Sequence, residues 1–93
     1  MELINNELLR QFEYRCDDDV LVAEYSFQER KIFLTKLITD KCQNKEKVEE
    51  FLKEIMNIAE ENRWRVVPIN PDVVSFFKKN PAYKDVLAIG LRI

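Results

Sequence analysis

Residues 10–16 alternate between apolar and polar, with Phe12, Tyr14 and Cys16 on one face and Glu13 and Arg15 on the other. A period of two is that of a strand half buried in a sheet. Asp17-Asp18-Asp19 follows as a turn. A calcium or magnesium site would need further converging oxygens, and no second acidic cluster stands at ligand spacing. A second strand starts at Val20, with Leu21, Ala23, Tyr25 and Phe27 on one face and Val20 and Val22 beginning the other. Gln28-Glu29-Arg30 is the next turn. In residues 31–39, Ile32, Leu34, Lys36 and Ile38 alternate with Phe33, Thr35, Leu37 and Thr39. Both faces carry apolar groups, which predicts a central strand covered on both sides.

The period changes after a polar connector over residues 40–47. Val48, Phe51, Leu52, Ile55, Ile58 and Ala59 recur at helical spacing and form one apolar stripe, while Glu49, Glu50, Lys53, Glu60 and Glu61 face water. Asn62 is the stop. Trp64, Val66 and Val67 open a short buried strand. Pro68 and Pro71 forbid its continuation, because neither has an N–H to donate. Asn70 is placed to cap a helix, with Pro71 at the first helical position and Asp72 in the first turn. Val73, Val74, Phe76 and Phe77 supply its apolar side, Lys78 and Lys79 suit the negative end of its dipole, and Asn80-Pro81 ends it. Strand, helix and strand in this order predict a right-handed crossover between two parallel strands. The tail from Val86 to Ile93 is apolar and strand-like. It either completes the sheet or forms an exposed edge that pairs with a second copy, giving a homodimer.

Composition narrows the function classes. At 93 residues the chain makes one domain, 1–93, with a single core. The expected class is α/β, in the α+β sense of a mostly antiparallel sheet with one parallel crossover. The net charge of −2 gives no basic excess for a nucleic acid. No apolar run approaches the roughly 20 residues of a membrane span, and the first residues, MELINNELL, do not read as a signal peptide. Cys16 and Cys42 are too few for a disulfide framework and read as reduced thiols, which places the chain in the cytoplasm. Histidine is absent, so Ser-His-Asp and Cys-His arrangements are excluded. Two cysteines with carboxylates are poor zinc chemistry, and no metal site is expected.

Val66-Val67-Pro68, Pro71, Lys79, Pro81, Tyr83, Asp85 and Leu87 stand in the order and spacing of a strand ending in V-V-P, a two-proline turn, a short helix and a K-x-P-x-Y-x-D-L segment. In this the chain resembles a branch of very small GNAT-type N-acetyltransferases. The resemblance implies a helix crossing between two neighbouring parallel strands, and acetyl transfer from acetyl-CoA. In that family the pyrophosphate lies on the glycine-rich loop before the crossover helix, where unpaired N–H groups and a positive dipole end meet it. Gln43 falls on the first position of the matching motif, and Glu46 and Val48 fall on its two small-residue positions. Were acetyl-CoA bound, Gln43, Asn44, Lys45 and Lys47 would be its contacts. Yet the only glycine in the chain is Gly90, and Glu46 brings negative charge towards the phosphates. Asn70 stands where the branch often has a cysteine, and Thr35-Lys36-Leu37-Ile38 lacks the branch's His and Glu. The catalytic candidates that are left are two. Tyr83 either protonates a leaving thiolate or anchors the last turn. Cys42 is either a displaced nucleophile or a small loop residue. The expected function is therefore a degenerate acetyltransferase-like domain with weak or lost acetyl-CoA binding, serving a small-molecule, protein or self-copy partner. The alternative is a working N-acetyltransferase with an atypical phosphate loop.

Overall fold

A computed structural model describes residues 3–16, 19–39, 42 and 44–88. The elements run β1 (Leu3–Asn6), β2 (Gln11–Cys16), β3 (Asp19–Gln28), β4 (Lys31–Ile38), α1 (Lys45–Glu61), β5 (Arg65–Pro68), α2 (Pro71–Lys79) and a 3-10 helix over Pro81–Val86. Together they make a small α+β domain with one five-stranded mixed sheet in the order β1-β2-β3-β4-β5. β1 to β4 are antiparallel neighbours, and β5 lies parallel to β4 with Lys31 to Leu34 opposite Arg65 to Pro68. The parallel pair flanking α1 is the one that the strand, helix, strand pattern predicts. β1 is an element that the apolar pattern did not signal: its four residues include two asparagines, and its outer side is exposed.

α1 begins earlier than its apolar stripe. Asn44 has extended backbone and accepts from the N–H groups of Glu46 and Lys47, so the helix starts at Lys45 inside the expected polar connector. At the other end Asn62 is the cap, as expected. The buried stripe is Phe51, Leu52, Ile55, Met56 and Ala59. In α2, Asn70, Pro71, Asp72, Lys78 and Lys79 occupy the cap, first-turn and last-turn positions that their chemistry suits.

Every fully buried strand residue lies on one face of the sheet: Phe12, Tyr14, Cys16, Leu21, Ala23, Ile32, Leu34 and Val66 form one cluster with the buried residues of both helices. The opposite face carries Val22, Phe33 and Val67 only half buried, with Lys36 exposed. β4 is therefore not covered on both sides, which corrects the expectation from its two apolar faces. Its alternation is also broken. Glu24 faces Lys36 and the next residue, Tyr25, faces Leu34, so Thr35 is an extra residue in β4. Such a bulge reverses the phase of the strand beyond it. Thr35 Oγ1 donates to the Glu24 carbonyl at 3.2 Å. Leu37 consequently lies opposite the buried Ala23, on the helix side, in the place that strict alternation would give to Lys36.

The start of the tail is buried. Val86, Leu87 and Ala88 are 4%, 7% and 7% exposed, and Leu87 bridges Val66 in parallel, with the Ala88 N–H donating to the Val66 carbonyl. This accords with a tail that extends the sheet beside β5. Ile89 to Ile93 lie outside the described residues, as do Asp17 and Asp18 of the acidic turn; Asp19 opens β3 opposite Cys16.

Candidate functional site

β4 and β5 part after four residue pairs, and a cavity opens beyond that point. Pro68 ends the ladder because it has no N–H. The Leu34 carbonyl instead accepts from the N–H groups of Ile69 and Asn70, at 3.1 and 3.0 Å, and the chain turns into α2. β4 runs on past the Thr35 bulge, so Leu37 and Thr39 face the gap. The first turns of α1 and one stripe of α2 flank it, leaving an open cavity of about 520 Å³. Its apolar floor is Leu37, Cys42, Val48, Leu52 and Phe76. Around the rim stand Thr39 and Ser75 with two cations, Lys45 and Lys79, and two anions, Glu49 and Asp72. An apolar floor with a few polar groups at the mouth is the usual character of a small-molecule site.

The electrostatics of the α1 N-terminus bear on any anion. Asn44 Oδ1 accepts from the Glu46 N–H at 3.0 Å and from the Lys47 N–H at 3.4 Å. The Asn44 carbonyl accepts from Lys47 and Val48. The donors that a pyrophosphate would use are thus engaged by the helix's own cap. Glu46, exposed in the first turn, adds a carboxylate to the positive end of the dipole.

The residues singled out from the sequence separate in space. Gln43 lies outside the described residues; of Asn44, Lys45 and Lys47, Lys45 lines the cavity, Asn44 is the cap and Lys47 is half buried in the first turn. Cys42 does line the cavity, but it is joined to Cys16 by a disulfide with the Cα atoms 6.0 Å apart. Both the reduced-thiol reading and a Cys42 nucleophile are therefore corrected: a bridged sulfur has no thiolate to offer. Its 3.9 Å approach to the Asn44 carbonyl is a contact without a proton. The cytoplasmic placement drawn from the two thiols loses that support, since bridges persist mainly in oxidising compartments. Tyr83 is not among the cavity residues; its ring packs 5.6 Å from that of Phe76, which is the anchoring role.

No protein-family model, curated protein or solved structure matches this chain.

Asp72 and Lys79, read from the sequence as helix-end and motif residues, and Ser75, not singled out at all, stand at the rim. They lie three and four positions apart on α2 beside its buried stripe, so helical spacing was a usable signal. No such signal existed for Leu37, because nothing in the local sequence marks the bulge. Among the described residues no polar or charged side chain is buried, and no group of three metal-binding side chains converges. No described helix is long and apolar enough to cross a membrane. Tyr14 is the group with a marked shift nearest the core. Burial first, then the carboxylates of Glu50 and Glu54, push its phenol above the ordinary value of 10.0. It stacks on Phe51 and donates to Glu50 Oε2 at 3.4 Å, and it is not a cavity residue.

Proposed function

We propose that this chain is a degenerate acetyltransferase-like domain that keeps a small-molecule cavity but has lost the anion cradle for acetyl-CoA, and so acts by binding rather than by acetyl transfer. The observation that carries this reading is the start of α1. Its first N–H groups are capped by Asn44, its first turn holds Glu46, and no glycine lets a phosphate reach the backbone. The crossover of α1 between parallel β4 and β5 supports the resemblance in fold. The cavity at the parting of those strands supports a retained ligand site. Lys45 and Lys79 are the cations that line the cavity, but lysines on flexible stems hold phosphate less well than fixed N–H groups. The bridged state of Cys42 and the place of Tyr83 outside the cavity both favour binding over catalysis.

The test is a paired comparison of acetyl-CoA binding by the natural chain and by the double variant Glu46→Gly, Val48→Gly. The variant removes one like charge from the α1 entry and one side chain from the cavity wall. A single opposing charge at short range is worth on the order of a few kcal/mol, so affinity should rise by about tenfold or more. The glycines cost the helix about 1 kcal/mol each, so folding is checked in parallel. Tight binding by the natural chain would instead promote the working-enzyme reading.

A further inference from the structure

The disulfide joins one residue of the cavity wall to one that is not part of it. Cys42, 7% exposed, lines the cavity; Cys16, at the end of β2 and 2% exposed, does not. A solute in the cavity therefore meets one side of the bridge only. Thiol–disulfide exchange depends on which sulfur the attacking thiolate can reach. We propose that the cavity is a thiol-exchange site, where a small-molecule thiol attacks Cys42 Sγ and displaces Cys16. The thiol gives up its proton and its sulfur bonds to Cys42 Sγ. The Cys16–Cys42 bond breaks with its electron pair on Cys16, which takes up a proton and becomes a thiol. One disulfide is consumed and one is formed, so no external oxidant or reductant enters.

The walls define the class of thiol. Leu37, Val48, Leu52 and Phe76 accept a short apolar stem, and the mixed charges of Lys45, Lys79, Glu49 and Asp72 suit a polar end held at the rim. The volume of about 520 Å³ suits a small molecule. Exchange has a structural consequence. The bridge spans 26 positions and ties the end of β2 to the chain just before the Asn44 cap, so its opening frees one cavity wall from the sheet. The inference rests on the cavity being the ligand site proposed above, and not on the loss of acetyl-CoA binding.

The experiment uses the oxidised full chain with limiting 2-mercaptoethanol, acid quenching at early times, N-ethylmaleimide labelling and peptide mapping by mass spectrometry. The expected map has mercaptoethanol on Cys42 and maleimide on Cys16, with the reverse pattern rarer by about tenfold. An even split, or adducts mainly on Cys16, would overturn the proposal. A second measurement fills the cavity away from the sulfurs with Leu37→Trp, or with the exposed Ser75→Trp should the first variant fail to fold. Exchange by the folded variant should slow by about tenfold, while the urea-unfolded variant reacts like the natural chain. An unchanged rate in the folded variant would refute the cavity route. Acetyl-CoA has an acylated sulfur and cannot exchange, so titration with it reports on the proposed function alone.

Discussion

Tyr14 and Asn44 illustrate how much one side chain settles here. Tyr14 sits in the core with its hydroxyl against Glu50, and its phenol is raised by burial and then by Glu50 and Glu54. Tyr25 is raised too, chiefly by burial. For a phenol the raised folded value means that the unfolded chain loses its proton first as pH climbs. The unfolded state then binds fewer protons, so the stabilising contribution is complete below the ordinary value of about 10 and is lost as pH rises through the folded value. Chemical denaturation should therefore show stability falling above about pH 10, with a shallower fall in Tyr14→Phe. An equally steep alkaline loss in that variant would show that Tyr14 is not its source. Asn44 is the other decisive residue, since its side chain both starts α1 and occupies donors that an anion would need.

Among the elements, the β3–β4 hairpin and α1 make the most specific demands. Gln28 pairs with Lys31 across a two-residue turn in which Glu29 and Arg30 both have positive φ, 51° and 65°. That is the mirror-image hairpin turn, which favours Asn or Gly and disfavours long side chains. Glu29 is exposed, so Glu29→Asn should raise stability by about 0.5–1 kcal/mol, read from the urea midpoint. A midpoint that falls would mean that the turn is not strained at Glu29. Phe51 and Ile55 are 0% exposed in α1, and replacing either with Ala should cost about 2–5 kcal/mol. Unmoved midpoints for both would place the buried face elsewhere. These elements also show what a sequence makes legible. The stripe of α1, the caps of α2 and the parallel partner of β5 follow from periodicity and from proline and asparagine chemistry, all local properties. The Thr35 bulge does not, because it comes from β4 pairing with β3 and parting from β5. For the same reason Leu37 was assigned to the wrong face. The early start of α1 was hidden because Lys45, Glu46 and Lys47 are polar and only Asn44 marks the cap.

At the scale of the whole molecule, the described residues make a sheet covered on one face by two α-helices and tied by a bridge at the cavity wall. Pairing of Cys16 with Cys42 could not be read from two cysteines 26 positions apart; it needs the register that sets the end of β2 beside the entry to α1. A closed loop of that length is worth roughly 3–4 kcal/mol of chain entropy, so Cys16→Ala with Cys42→Ala should lower stability by about that amount. Equal urea midpoints for the oxidised chain and the double variant would show that the bridge does not constrain the fold in solution. The central proposal is that the cavity binds acetyl-CoA weakly or not at all. On the proposed reading, the capped N–H groups of Glu46 and Lys47 and the carboxylate of Glu46 leave acetyl-CoA without a pyrophosphate seat. Calorimetric titration of the natural, oxidised chain with acetyl-CoA tests this most directly. The expected result is no binding, or a dissociation constant on the order of millimolar, about −4 kcal/mol. A constant on the order of micromolar, about −8 kcal/mol, would contradict the account and return the chain to the acetyl-CoA-dependent enzymes.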